Sequence, residues 1–147
     1  MPFHKLSYVT ICYCMLVLAA SGCSNNSPQV IDRILSSGNY KVSVNAWACF
    51  GNDTTVLNIM KDGSGQKAEF TFAGDTEKEG YTTKSGQMAW NADKEKRLRK
   101  FFAEGIQKKD KQACAAEAVY TLYAGGDTIK FTDDACEFDK KFAELMQ

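Results

Sequence analysis

Histidine is nearly absent from this chain. His4 is the one histidine in 147 residues, and it stands ahead of an apolar run that reads as an export leader. A domain that begins after that run has no imidazole. Ser-His-Asp and Cys-His activation of a nucleophile are then excluded, as is a zinc site built on imidazole. An excess of one charge is lacking too, since 18 basic and 18 acidic side chains cancel. A balanced domain offers no basic surface for nucleic acid. Proline occurs only as Pro2 and Pro28. No phosphate loop, dinucleotide fingerprint or Cys-x-x-Cys is present, so no cofactor is implied. The apolar stretch Leu6 to Ala20 covers about 15 residues, short of the roughly 20 that a spanning helix needs.

What is there begins with that stretch. Lys5 supplies the positive start, and Ser21 and Gly22 are the small residues that cleavage needs. The run Leu18-Ala19-Ala20-Ser21-Gly22-Cys23 resembles the lipobox of bacterial lipoproteins, with Ala20 where leucine is commonest. That resemblance implies a diacylglyceryl group on Cys23, a cut before it, and acylation (palmitate-like) of the new amino terminus. An ordinary signal peptide cut near Ala20 is the alternative. Two or more acyl chains anchor a protein stably, at roughly 0.8 kcal/mol per buried CH₂. Ser24 follows the cysteine, which by analogy with enteric bacteria favours the outer membrane of the cell envelope. The expected organisation is a signal peptide over residues 1–22, a lipidated Cys23 with a short tether over 23–27, and one domain over 28–147. Cleavage removes Lys5 and His4 and leaves 17 basic against 18 acidic side chains.

Six cysteines are present, and Cys12 and Cys14 leave with the leader. Cys49, Cys114 and Cys136 then meet an oxidising compartment. The segment between the last two carries a hairpin signal, Gly125-Gly126 between alternating runs. With that turn, Leu122 faces Ile129 and Tyr120 faces Phe131. Val119, Thr121 and Tyr123 face Thr132, Lys130 and Thr128 on the other side. Cys114 and Cys136 come to the mouth of the hairpin, which predicts a disulfide. It closes a loop of about 20 residues, worth roughly 3 kcal/mol in the chain-entropy model. A bond from Cys49 to one of the pair is the alternative, and Cys49 otherwise reads as a small buried residue.

The rest of the chain alternates signals cleanly. Ser27-Pro28 opens a helix with Val30, Ile31, Ile34 and Leu35 on one side, and Gly38 stops it. Residues 40–50 alternate as a strand. Gly51-Asn52-Asp53 reads as a turn, Thr55–Met60 as a strand, Asp62-Gly63-Ser64-Gly65 as a turn, and Ala68–Phe72 as a third strand. Gly74–Gly80 reads as a charged loop, and Tyr81–Thr83 and Gln87–Trp90 as two short strands about Lys84-Ser85-Gly86. Asn91 caps a long helix with Leu98, Phe101, Phe102 and Ile106 inside; its basic cluster reads as a solvated face. Asp134-Ala135-Cys136-Glu137 resembles a capping box before a last helix with Phe138, Phe142 and Leu145 inside. The order indicates an α+β domain: an antiparallel β-meander plus a β-hairpin, with about three helices packed on one face.

Chemistry-bearing motifs are few. Asp62-Gly63-Ser64-Gly65 resembles the start of a calcium loop without its later ligands, so no metal site is expected. Asp53 and Asp75 are one of many possible carboxylate pairs, the one enzymatic route left open. Asp53-Thr54-Thr55 and Asp127-Thr128-Ile129 resemble the O-glycosylation sequon of Bacteroidetes envelope proteins. Trp47, Tyr81, Trp90 and Tyr123 are candidate exposed aromatics that would form a binding surface. The expectation is a lipid-anchored envelope protein without enzymatic activity. Its partner would be an envelope protein, as for an inhibitor or immunity protein, with a glycan or peptidoglycan as the alternative.

Overall fold

A computed structural model of the chain describes residues 27–48, 51–63, 65–76, 80–108, 116–133 and 137–147. Helix α1 spans Pro28–Ser36. Strands β1 (Tyr40–Ala48), β2 (Gly51–Asp62), β3 (Gly65–Thr76) and β4 (Gly80–Trp90) follow. Helix α2 spans Ala92–Gln107, strands β5 (Ala116–Ala124) and β6 (Asp127–Asp133) form the hairpin, and α3 spans Phe138–Met146. The six strands make one antiparallel sheet in the order β4-β3-β2-β1-β5-β6. The meander and the hairpin are joined by pairing of β1 with β5, so the first strand lies inside the sheet.

The helices start and stop where local chemistry dictates. Pro28 sits in the first turn of α1, and Gly38 reverses the chain after it at φ +74° against the Lys61 stem. Asn91 Oδ1 accepts the Lys94 N–H at 2.9 Å and caps α2, whose first turn carries Asp93 and Glu95. In α3 the buried carboxylate of Asp133 accepts the Phe138 N–H at 2.7 Å, a cap delivered from the end of β6.

All three helices lie on one side of the sheet, over β1, β5 and β6. Alternate strand residues point at them: Tyr40, Val42 and Val44 from β1, Leu57 and Ile59 from β2, Tyr120 and Leu122 from β5, Ile129 and Phe131 from β6. Phe101 of α2 is the hub of the aromatic core, with ring centroids 5.1–5.8 Å from Phe102, Tyr120, Phe131, Phe138 and Phe142. Gly105 sits against the Phe131 ring, where a Cβ has no room.

Three sequence expectations change. Gly51-Asn52-Asp53 is not a turn; Ala48 pairs with Gly51 and Ala46 with Asp53, so these residues belong to β2. Gly74 to Thr76 extends β3 rather than opening a loop. Gly86 does not turn the chain either. Residues 80–90 are one strand, and Gly86 is there because the Phe70 ring of β3 lies where its Cβ would stand. The hairpin register is as expected, with Tyr120 opposite Phe131 and Leu122 opposite Ile129. Cys23, Cys49, Cys114 and Cys136, and with them the disulfide and most of the capping-box segment, lie outside the described residues.

Candidate functional site

The sheet has a second face, and no described helix covers it. Its central rows follow from the register. One runs Thr83, Ala73, Thr54, Asn45, Val119, Thr132 across the six strands. The next runs Ser85, Thr71, Val56, Ser43, Thr121, Lys130. Hydroxyl and amide groups dominate both rows, and Thr54 Oγ1 lies 3.2 Å from Asn45 Oδ1, to which it donates. β-branched and hydroxyl residues suit a half-solvated pleated surface, which explains why they form strands here.

Aromatic residues stand at the two ends of this surface. Trp47 of β1 is 43% exposed and Tyr81 of β4 is 71% exposed, at the same end of the sheet. Trp47 pairs with Asn52 and Tyr81 with Asp75, so the rings stand three strands apart, roughly 14 Å at about 4.8 Å per strand. Tyr123 lies at the opposite end, paired with Lys41 and Thr128, and is half-buried. The sequence expectation thus brings three of its four aromatics to one surface.

Trp90 is the correction. It is 4% exposed and lies on the helix side of β4. Its indole Nε1 donates to the Tyr40 hydroxyl at 2.9 Å, and that hydroxyl donates to Glu95 Oε2 at 3.2 Å. Gln66 Nε2 donates to the same carboxylate oxygen at 3.2 Å. Burial, with the Glu95 charge beside it, pushes the Tyr40 phenol well above its usual range. Burial and Asp139, whose Oδ1 accepts its hydroxyl at 2.6 Å, do the same for Tyr120. Parity could have separated Trp90 from Tyr81. In one continuous strand an odd and an even position face opposite ways, and reading β4 as two pieces hid that.

Below Tyr123 the face sinks into a depression of about 560 Å³ lined by Lys41, Asn58, Met60, Glu69 and Tyr123 among others. Gln87 Nε2 donates to Glu69 Oε1 at 3.0 Å and holds that carboxylate against the neighbouring strand. Asn58 Oδ1 is shielded from solvent and accepts no hydrogen bond. Sequence reading had no signal for this site, because its residues come from four strands and meet only through the register.

The helix layer is different in kind. Arg99 grips Asp32 through two nitrogens at 2.6 and 2.9 Å, and Arg33 grips Asp127 at 2.9 Å twice. Lys141 meets Glu104 at 2.9 Å. Hydrogen bonds from Arg99, Arg33 and Lys141 hold the Asp32, Asp127 and Glu104 carboxyls below their usual range. These pairs tie α1, α2, α3 and β6 together, so part of the basic cluster of α2 is engaged in joining elements. Lys108, at the end of α2, reaches Glu137 at 2.9 Å and the buried Asp133 at 3.8 Å.

Asp53 points to the helix side of the sheet and lies over Gly74, while the Asp75 side chain is outside the described residues. Thr54 stands mid-strand in β2 rather than at a turn, and Thr128 follows the hairpin turn; both belong to the open face. Among the described residues no three His, Cys, Asp or Glu side chains gather as a metal site. No described helix is long and apolar enough to cross a membrane. No protein-family model matches the chain, and a search of curated proteins gives no match.

Proposed function

We propose that this chain is a lipid-anchored envelope protein that binds glycan, without catalysis, on the uncovered face of its sheet. The observation that carries the reading is the layout of that face: hydroxyl and amide rows in the centre, the exposed Trp47 and Tyr81 at one end and the half-buried Tyr123 at the other. Sugars offer hydroxyl groups to hydroxyl and amide side chains, and ring faces to aromatic side chains. The charge of the face is low and mixed, with Lys41, Lys67 and Lys130 against Asp62, Glu69 and Glu117, and Lys67 meets Asp62 at 3.2 Å. Such a surface suits a neutral, hydroxyl-rich partner.

The sequence expectation put an envelope protein first. The area of the face, roughly 24 by 27 Å from strand spacing and rise, approaches the about 800 Å² a partner buries in a standard interface. The composition favours the glycan. Protein interfaces concentrate aromatic anchors near the centre of a desolvated apolar patch, and here the centre mixes threonine, serine and asparagine with Val56 and Val119 and holds no aromatic ring. The anchor fits either partner. α1, the first described element, belongs to the helix layer and not to the open face, which supports an anchor that leaves that face clear.

Binding to isolated cell-wall and envelope polysaccharide fractions tests the proposal. The full-length protein is retained, and Trp47→Ala with Tyr81→Ala lowers retention at least tenfold while the fold, followed by circular dichroism, is unchanged. Equal retention of the double variant, or a stoichiometric envelope protein captured through the same two rings in place of glycan, overturns it.

A further inference from the structure

We infer that the depression at the Tyr123 end of the open face is a subsite for an N-acetylated amino sugar. The inference rests on the glycan reading above and names the sugar that this part of the face selects. Asn58 stands between Lys41 and Glu69 in one register row. Its Oδ1 is shielded from water and unpaired, so it lacks a donor that a ligand can supply. Glu69, fixed through one oxygen by Gln87, adds a second acceptor beside it. Lys41 supplies a donor of the opposite sense on the other side of Asn58. Met60, 39% exposed, and the Tyr123 ring supply apolar surface.

Few small groups answer all of these at once. The ligand must carry an N–H donor for Asn58 or Glu69, an oxygen acceptor for Lys41 and an apolar group for Met60, all within a few ångströms. An acetamido group has these three parts on adjacent atoms, and the sugar ring it hangs from has a C–H face for Tyr123. A plain hexose has donors but no methyl group. A free amino sugar brings a second cation beside Lys41, and a uronic acid brings a second anion beside Glu69. The space, about 560 Å³, is within the range of small-ligand pockets. Lys41 and Met60 are both exposed, so their side chains can swing aside and open the way to Asn58.

Calorimetric titration of the full-length protein with tri-N-acetylchitotriose and with cellotriose tests the subsite. The two probes share a backbone and differ in the acetamido group. Tighter binding of tri-N-acetylchitotriose by at least tenfold is expected. Asn58→Leu, which removes the acceptor, and Met60→Ser each bring the ratio of the two affinities toward one, whereas Trp47→Ala leaves that ratio unchanged. Because the two sugars are compared on the unmodified protein first, a variant that fails to fold does not remove the test. Equal affinity for the two sugars overturns the subsite and leaves the glycan reading standing. So does retention on cell wall without response to either trisaccharide. Failure to bind wall and sugar alike removes both.

Discussion

The two faces of this sheet are made by the same strands and differ in almost everything else. In β1, Tyr40, Val42 and Val44 go under the helices, while Lys41, Ser43, Asn45 and Trp47 go to the open side. The covered face is closed by aromatic contacts and by ion pairs that clamp the helices to each other. The central rows of the open face carry a hydrogen bond from Thr54 to Asn45 and no aromatic contact among the described residues. Stability is therefore concentrated on one side of a surface a single residue thick, and the other side is free to serve recognition. Substitutions on the two faces should separate folding from binding.

The largest effect belongs to the covered face. Phe101→Ala removes the ring that touches five other aromatic residues, at a cost of about 3–5 kcal/mol. For a domain of this size that is a large part of the whole stability, and denaturant unfolding should show the midpoint collapse. A loss under 1 kcal/mol would show that the aromatic hub does not hold the layers together. Next comes Asp133→Ala. It takes away the acceptor of the Phe138 N–H and leaves Lys108 beside a buried apolar end of α3. Breaking such a buried group costs about 3 kcal/mol, and urea titration should place this variant close behind Phe101→Ala.

Gly105→Ala sets two effects of opposite sign against each other. In an exposed helix, alanine gains about 1 kcal/mol over glycine. Here the new methyl group meets the Phe131 ring inside the core, and overpacking of that kind costs about 1–3 kcal/mol. The ring is wedged between Phe101, Phe102 and Tyr120 and has little freedom to retreat. A net loss of about 1 kcal/mol is expected in thermal unfolding; a gain would mean that the core yields at this point.

Local structure was legible in the sequence wherever a local signal set it. The Gly125-Gly126 turn and the parity around it determine the β5–β6 register, and Asn91 determines the start of α2. The readings failed where a partner distant in sequence decides. Gly86 looks like a turn until Phe70 is opposite it, and Gly51 to Asp53 look like a turn until β1 pairs with them. The pairing of β1 with β5, separated by some seventy residues, carries no local mark at all. The candidate site inherits that limit. Trp47, Tyr81 and Tyr123 were legible as aromatics on strands. The depression around Asn58 was not, since it exists only once four strands lie side by side.

Alkaline pH should act on the covered face through two buried phenols. The Tyr40 and Tyr120 phenols titrate above their usual range in the folded state, because burial disfavours the phenolate and the Glu95 and Asp139 carboxylates add repulsion. A group whose folded pKa is raised contributes stability that is intact below its unfolded pKa and is lost as pH rises above it. For tyrosine that threshold is about pH 10. Above it each of the two tyrosines should remove about 1.4 kcal/mol per pH unit. The Tyr40→Phe, Tyr120→Phe double variant should flatten that slope, even though it starts from a lower stability at neutral pH. An unchanged slope would assign the alkaline loss to other groups.

The smallest effects on stability should come from the open face, and that smallness is the sharpest test of the division. Trp47→Ala removes a ring that is 43% exposed, and Thr71→Ser removes one exposed methyl group. Surface changes away from special features usually stay within about 0.5 kcal/mol, which for a domain of this length is a shift of about 2 °C in Tm. Binding should respond in the reverse order, with Trp47→Ala the larger loss and Phe101→Ala affecting it only through unfolding. A loss near 2 kcal/mol for Trp47→Ala in the isolated protein would mean that the ring packs against a further part of the chain. The open face would then be a second core, and its aromatic ends would owe their place to folding and not to a ligand.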